Sequence, residues 1–313
     1  MGVTREDLIR SGRYLEMTDE EWAVELAGRQ AVINCYMAND SWAVKIKKNV
    51  AVILTSSSYG RPYLRGSVDT HSKLGYWLVL AYDNFIDPTW PAIDYNTLMP
   101  PKEVMDKIDT FLMPHHQCWG GVSYPYMWLL RLSAGIVHSF DYVLVDNGDC
   151  IIEKPEGFPA LLDLLGDCDL MSSGPDLPRE IGTAGLLMRT SAFMKISKHM
   201  IDHVVPFEEY EKSTQDFGNT EGRLATAVRD LGLKTKVVQA PHNEQLHIPG
   251  KGTWYDLIGF RHIHGEHNYA HRYKAIPPEP QYFDERFMGD EYRQIKAYHD
   301  TKDMSILENW WAK

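Results

Sequence analysis

The chain has 313 residues, of which 44% are hydrophobic and 24% are charged, a balance typical of a soluble globular protein. Its 32 basic and 43 acidic side chains give a net charge of −11, which disfavours nucleic acid as a partner but leaves a local basic groove open. No run approaches the ~20 apolar residues of a membrane span, and the first residues lack a signal-peptide core. The scattered cysteines match neither a CxxC metal motif nor a disulfide framework. We therefore expect a cytoplasmic protein in a reducing compartment, without membrane insertion.

The pattern divides the chain into one main domain with two extensions. Residues 1–48 predict a helical N-terminal extension, because a capping box precedes a run of spaced apolar residues. Residues 49–274 hold the alternating strand and helix pattern, and residues 275–313 are expected to form an irregular C-terminal extension. No linker is long enough to separate two domains.

Two apolar, β-rich runs with polar ends open the main domain. The first, over residues 49–55, leads into the serine-rich segment 56–62, and the second, over residues 76–82, ends at Asp83. A helix is predicted between them. Carboxyl ends of parallel strands share one edge of a sheet, where ligands bind. The serine-rich segment has no GxGxxG or Walker pattern, so a Rossmann dinucleotide site and a P-loop are disfavoured.

A third apolar run, over residues 141–145, ends in two carboxylates on a turn. Asp146-Asn147-Gly148-Asp149 follows this strand directly, and carboxylate oxygens at such a place suit Mg²⁺ or Mn²⁺. The same turn also fits a polar cap on a buried strand. Arg131, in the preceding helical pattern, is either a surface cation or a contact to phosphate or ribose.

Short helices and strands alternate through the rest of the main domain. Helices are predicted near residues 102–111, 159–165 and 221–231, and strands over residues 168–171, 182–189 and 234–238. This alternation predicts an α/β fold with a mixed, mostly parallel sheet flanked by helices.

The order of these features resembles the GT-A class of nucleotide-sugar glycosyltransferases, and within it the large inverting, family 2-like group. The likeness is carried by VAVILTSSSYGRP, by Asp83, by GGVSYPYMWLLRLSAGIVHSFDYVLVDNGD and by TEGRLATAVRDLGLKTKVV. Glu221 precedes Gly232 by eleven residues, as the family's catalytic acid precedes its glycine. Two departures stand out: the family's Asp-x-Asp is Asp-Asn-Gly-Asp here, and its Glu-Asp pair is Thr220-Glu221.

This resemblance implies a Rossmann-like GT-A fold and a metal-dependent hexosyltransferase. The implied donor is a UDP-sugar first and a GDP-sugar second, the acceptor is unidentified, and transfer proceeds with inversion. Glu221 is the implied general base, and a favourable charge near a helix N-terminus is the alternative interpretation. The implied donor contacts are Thr55, Ser56, Ser57, Arg61, Asp83, Arg131, Asp146, Asn147 and Arg261.

Histidines after residue 239 supply further candidate ligands. Six lie within residues 242–271, where a solvated His-rich surface is the alternative interpretation. Some GT-A enzymes complete their metal shell with a C-terminal histidine, so the implied Mn²⁺ or Mg²⁺ ligands are Asp149 and Asp146 with His264 or His262. Imidazole suits Mn²⁺ better than Mg²⁺. We rank His264 ahead of His262, and Asp149 ahead of Asp146.

Two other functions stay open at this stage. A nucleotidyltransferase shares this type of sheet and also places carboxylates on a metal, but the segment after its first strand is usually rich in glycine and basic residues. A non-catalytic nucleotide- or carbohydrate-binding protein is favoured by Thr220 at the place of the missing acid. Trp310 and Trp311 are expected to pack on the body of the protein or on a second subunit, which leaves a homo-oligomer open.

Overall fold

A computed structural model describes residues 44–45, 48–57, 60–83, 99–112, 130, 133–173, 182–203, 220–237 and 253–312. Within these ranges only the backbone is described at residues 57, 83, 201, 220, 221 and 237. Almost all of the predicted N-terminal extension lies outside the described residues, and so does Arg131.

Among the described residues, seven strands form the central sheet and two more form a small second sheet. The strands are β1 (Val50–Ser57), β2 (Trp77–Asp83), β3 (Thr110–Leu112), β4 (Tyr142–Asn147), β5 (Cys150–Ile152), β6 (Leu170–Ser172), β7 (Leu186–Arg189), β8 (Thr235–Val237) and β9 (Phe260–His262). The central order is β3-β2-β1-β4-β7-β6-β8, and β5 pairs with β9. Strand β7 is antiparallel to β4 and β6, and the other central pairs are parallel. The predicted mixed, mostly parallel sheet is confirmed.

Helices flank the sheet and continue beyond it. They are α1 (Arg61–His71), α2 (Lys102–Met105), α3 (Phe158–Leu165), α4 (Thr190–Asp202), α5 (Thr220–Asp230), α6 (Thr253–Ile258), α7 (Ile263–Tyr273), α8 (Glu285–Met288), α9 (Asp290–Thr301) and α10 (Met304–Trp311). Residues 133–137 are also helical. In the described part of the chain, no helix combines the length and the apolar character needed to cross a membrane.

The central strands are buried on both faces, so their alternate residues supply two apolar cores. In β1, Ile53 packs in the core that contains Phe193 of α4. Leu54 lies in the opposite core, with Leu64 of α1 and Phe158 of α3. This burial on both faces explains why β1, β2 and β4 are near-continuous apolar runs in the sequence.

The C-terminal segment, predicted to be irregular, contains three helices and shares a third core with the main domain. Ile295 of α9 and Trp310 of α10 pack with Tyr63 of α1, Ile151 of β5 and Ile263 of α7. The prediction was wrong because the partners of these side chains lie far away in sequence. The expectation that Trp310 packs back on the protein is confirmed, since only 1% of this residue is exposed.

The helix predicted near residues 102–111 ends early, at Met105. Residues 110–112 instead form the edge strand β3, parallel to β2. Polar contacts fix this edge: the backbone N–H of Leu78 donates to Asp109 Oδ2 (2.9 Å), and the indole N–H of Trp77 donates to Thr110 Oγ1 (3.0 Å). The apolar spacing alone did not reveal these contacts.

Candidate metal centre

The turn that joins β4 to β5 carries the candidate centre at the carboxyl edge of the sheet. Strands β1 and β4 are parallel, with Thr55 opposite Asn147, so both end at this edge. The backbone N–H of Gly148 donates to the carbonyl of Thr55 (2.7 Å) and holds the turn on β1. Asp149 follows at the start of the second sheet.

The second sheet brings a histidine to Asp149. Strand β9 pairs antiparallel with β5 and places His262 opposite Cys150. The backbone N–H of Ile263 donates to the carbonyl of Asp149 (2.9 Å), which fixes the start of α7 beside the turn. His264 then lies in the first turn of α7.

Both imidazoles face the same carboxylate oxygen. His262 Nε2 lies 3.1 Å from Asp149 Oδ2, and His264 Nδ1 lies 3.5 Å from it. The side chains of Asp149, His262 and His264 are 16%, 23% and 48% exposed, so the cluster opens to solvent on the His264 side. A carboxylate oxygen with an imidazole nitrogen is a ligand combination that suits Mn²⁺ better than Mg²⁺.

The charges of the cluster keep Asp149 ionised. Burial raises the pKa of this carboxyl, but the charge and hydrogen bond of His262, followed by those of His264, outweigh burial and hold the pKa well below its usual range. For His262, burial lowers the pKa, and the charge and hydrogen bond of Asp149 reverse this into a net increase. The Asp149 carboxyl is therefore ionised at neutral pH.

Cys150 lies beside the cluster and is buried. Its sulfur is 3.8 Å from Asp149 Oδ1, and it groups with Asp149 and His262 within metal-binding reach. Burial, followed by the negative charges of Asp146 and Asp149, raises the pKa of this thiol well above its usual value. Without a bound metal the Cys150 thiol is therefore protonated, and a metal would have to displace its proton to use the sulfur as a ligand.

Asp146 does not share the centre with Asp149, contrary to the prediction. Its carboxylate is fully buried, with Oδ2 at 3.0 Å from His71 Nε2. Its Oδ1 accepts from the backbone N–H groups of Asn147 (2.8 Å) and Gly185 (3.1 Å). Both oxygens hold parts of the fold together, so we correct the assignment of Asp146 as a metal ligand or donor contact. His71 is the partner that sequence reasoning missed, because it is the last residue of an ordinary helix.

Gly185 also explains why the predicted strand over residues 182–189 begins only at Leu186. Its φ of +72° is in the left-handed region, and a Cβ there would meet Ser173 Oγ at 2.5 Å. The close approach at this glycine is made by Ser173, while its backbone N–H donates to the carboxylate of Asp146.

Arg261 is likewise corrected, from a phosphate contact to a structural ion pair. Its guanidinium donates to both oxygens of Glu266 and also reaches Glu153 (2.8 Å) and Glu279 (3.2 Å). The residue is 8% exposed and lies over the ring of Tyr282. The guanidinium of Arg261 is thus bound by three carboxylates of the protein, whereas the prediction had it bind a phosphate of the nucleotide-sugar donor.

The other predicted donor contacts fall into three groups. Thr55 Oγ1 lies 3.1 Å from Asn147 Oδ1, and the side-chain amide N–H of Asn147 donates to Thr183 Oγ1. These three side chains therefore bind one another across the sheet edge. Arg61 lies over the ring of Phe287, 4.9 Å from its centroid. The register places Ser57 opposite Asp83 at the same edge, but their side chains lie outside the description.

Glu221 is the second residue of α5, and its side chain is also outside the description. The helix begins at Thr220 and ends before Gly232, whose φ is +60°, close to the predicted bounds. The predicted role of Glu221 as a base stays a prediction.

Gly148 sets the distance between the turn and β1, which leads to a testable expectation. A Cβ on this glycine would lie 2.5 Å from both Cβ and Oγ of Ser56 and 3.2 Å from Leu64 Cδ1. We expect Gly148→Ala to lower the free energy of unfolding by about 1–3 kcal/mol through overpacking and to weaken Mn²⁺ binding, because the turn must move. Chemical denaturation and a Mn²⁺ titration measure the two effects.

Ser56→Gly is the matched test of that contact. If Ser56 is the obstacle, the double variant Ser56→Gly with Gly148→Ala should lose less stability than the sum of the single variants. Additive losses would show that the contact does not set the position of the turn.

Comparisons with known proteins give limited information about this chain. No protein-family model matches the sequence, and no curated protein matches it significantly. Among solved structures, it is similar to a 4-diphosphocytidyl-2C-methyl-D-erythritolsynthase from Anaerococcus prevotii, with a TM-score of 0.38 and 15% identity. The match covers 62% of this chain and 89% of that chain. A likeness with this TM-score supports no statement about fold or function, so the function below rests on the geometry of the site.

Proposed function

We propose that the protein is a metal-dependent transferase that takes a nucleotide sugar as donor and moves its sugar to an acceptor. The observation that carries this proposal is the convergence of His262 and His264 on Asp149 at the carboxyl edge of β1 and β4. A UDP-sugar is the first donor to test and a GDP-sugar the second.

The position of the cluster supports a nucleotide site beside it. In open α/β sheets, ligands bind outside the carboxyl ends of the strands. The ends of β1, β2 and β4 meet here, and they carry the predicted donor contacts Ser57, Asp83 and Asn147.

Asp149, His262 and His264 are the residues that would hold Mn²⁺ or, less readily, Mg²⁺. When bound, the cation supplies neutralisation of the charge that develops on the departing nucleoside diphosphate. The role of the protein is to hold this donor set still: β5–β9 pairing fixes His262, and the hydrogen bond from Ile263 to Asp149 fixes the turn. The low pKa of Asp149 keeps its oxygens available as ligands.

Glu221 is the proposed general base for the acceptor. It lies in the first turn of α5, eleven residues before Gly232, and a carboxylate there would accept the acceptor proton during attack on the anomeric carbon. Attack from the face opposite the leaving diphosphate gives inversion.

Nucleotidyl transfer is the second candidate, and one observation favours it. The other carboxylates next to the centre are bound by side chains of the protein and so are not placed to act as a base. Asp146 is bound by His71, and Glu153 by Arg261 and Tyr282. Transfer to a phosphorus atom depends mainly on positioning and charge neutralisation, so it needs a protein base less than glycosyl transfer does. Donor chemistry separates the two candidates, since one releases a nucleoside diphosphate and the other releases pyrophosphate.

The test is a thermal-shift screen of nucleotide sugars and nucleoside triphosphates with and without Mn²⁺, followed by product analysis of any ligand that binds. A ligand specific for the folded protein raises its melting temperature by mass action. We expect a Mn²⁺-dependent shift with a UDP-sugar and slow release of UDP, and Glu221→Gln should bind the donor normally but fail to transfer its sugar. Release of pyrophosphate from a nucleoside triphosphate would show that the protein is a nucleotidyltransferase and not a glycosyltransferase. Binding without any turnover would show that it is a non-catalytic binding protein.

A further inference from the structure

A second cluster of metal-type ligands lies on the opposite end of α7 and has no part in the proposed transfer. His267 and His271 are four residues apart in α7, so their side chains share one face of the helix. Glu291 of α9 faces them, with its Oε1 at 3.0 Å from His267 Nε2 and 2.9 Å from His271 Nε2. One ligand atom from each residue lies within 4.8 Å of the others.

We propose that His267 Nε2, His271 Nε2 and a carboxylate oxygen of Glu291 bind a divalent transition metal ion of the Zn²⁺ type. Two imidazoles and one carboxylate are a ligand set found in catalytic zinc sites, where water takes the fourth coordination position. Ligand atoms about 3.3 Å apart surround a tetrahedral ion with bonds of about 2.0–2.1 Å, so the observed separations need only a small opening of the cluster.

The surroundings orient the first histidine as a ligand. Tyr63 Oη lies 3.1 Å from His267 Nδ1. This oxygen can accept a hydrogen bond from Nδ1–H, the arrangement in which Nε2 gives up its proton to Glu291 or solvent and binds a metal. Burial, followed by the charges of Asp149 and Glu291, raises the pKa of the Tyr63 phenol, so the hydroxyl stays protonated. His267 is also packed against Phe283, with ring centroids 5.5 Å apart.

The second histidine and the carboxylate are reachable from solvent. His271 stacks on the buried Trp310, with ring centroids 3.6 Å apart, which restrains its ring. The side chains of His271 and Glu291 are each 36% exposed, against 8% for His267. Hydrogen bonds from His267 and then His271 lower the pKa of Glu291 to about 2, so its carboxylate is charged at neutral pH.

The ion would fasten the C-terminal helices to the main domain. Glu291 belongs to α9, whereas both histidines belong to α7, and Trp310 of α10 covers the cluster. Tyr63 also stacks on His264 of the first centre, with centroids 5.0 Å apart, so it touches both clusters. Binding of Zn²⁺ should therefore stabilise the packing of α9 and α10.

The experiment uses the full chain without an affinity tag, stripped of metal with a chelator and carrying Asp149→Asn to disable the first centre. Zn²⁺ affinity is measured by competition with a colorimetric chelator, and thermal stability is followed in parallel. We expect this protein to bind one equivalent of Zn²⁺ and to gain melting temperature, since the second cluster is intact. Added His271→Ala or Glu291→Gln should each weaken Zn²⁺ binding by more than about tenfold and remove the stabilisation.

His299→Ala is the matched control, because His299 lies in the same helix α9 but contacts only the carbonyl of Pro277 among the hydrogen bonds described for it. It should bind Zn²⁺ as tightly as the Asp149→Asn parent. Circular dichroism checks folding, and Glu291→Gln, which keeps the size of the side chain, decides the outcome if His271→Ala unfolds. The proposal is overturned if the parent binds no Zn²⁺, or if Glu291→Gln binds it as tightly as the parent.

Discussion

Replacing Asp149 by asparagine is expected to lower Mn²⁺-dependent cleavage of the donor by at least about a hundredfold, because a bound metal ion contributes several kcal/mol of charge stabilisation to such a step. Asparagine keeps the size of the side chain but removes the charge that His262 and His264 face. The loss should appear as a lower rate and as weaker Mn²⁺ binding, with the fold unchanged.

The measurement is release of the nucleoside diphosphate at several Mn²⁺ concentrations, beside a Mn²⁺ binding titration. Asp106→Asn is the control, because this carboxylate is 59% exposed and pairs only with Lys102 among the ion pairs described for it. Undiminished donor cleavage by Asp149→Asn would remove Asp149 from the metal assignment.

The second large effect concerns stability, at the buried pair of His71 and Asp146. Both side chains have no solvent exposure, and His71 Nδ1 also lies 2.9 Å from the carbonyl of Ser67. Removing one partner of a buried hydrogen bond leaves the other group unsatisfied, which typically costs about 1–3 kcal/mol and more for a charged group. We expect His71→Ala to lower the free energy of unfolding by about 3 kcal/mol, because the backbone N–H groups of Asn147 and Gly185 still bind the carboxylate.

Denaturation in urea measures this loss, and Asp106→Asn again serves as the control, since surface pairs contribute little. The two aspartates of the Asp-Asn-Gly-Asp turn are thereby separated: the partner of Asp146 should affect stability, and Asp149 should affect metal binding. If His71→Ala were as stable as wild type but lost Mn²⁺ binding, Asp146 would return as a metal ligand.

The sequence was sufficient to predict the main sheet and its edge. Strands β1, β2 and β4 are buried on both faces, so their apolar runs are unambiguous, and polar residues end each of them. Helix α5 was also predicted within one residue at each end, because Gly232 supplies a strong termination signal. Each of these features is determined by residues that are neighbours in the sequence, so a sequence pattern is enough to identify it.

The pairing that builds the candidate centre was not local. Cys150 and His262 lie opposite each other in the paired strands β5 and β9. Each strand has only three residues, too few to show a periodic pattern of apolar residues, and the two strands lie more than a hundred residues apart in the sequence. The histidines were proposed as ligands through the family resemblance, and the sequence ranked His264 ahead of His262. In the structure His262 lies nearer to Asp149 than His264 does.

The corrections at Asp146 and Arg261 have the same cause. A carboxylate at a strand end and an arginine among histidines both suit ligand binding, but each is bound by residues of the fold, including one from a distant segment; Arg261 also pairs with Glu266, five residues on. His71 lies 75 residues before Asp146, and Glu153 lies 108 residues before Arg261. Residue type predicts what a side chain can bind, whereas the tertiary fold decides what it does bind.

The most direct test of the metal centre is an anomalous-scattering map from crystals grown with Mn²⁺ and UDP. The predicted result is a manganese peak within bonding distance of Asp149 Oδ2 and of His262 Nε2 or His264 Nδ1, with the diphosphate of UDP on its open side. A manganese peak beside Asp146 instead of Asp149, or the absence of a manganese peak at the carboxyl edge of β4, would contradict the metal site on which the proposed function rests.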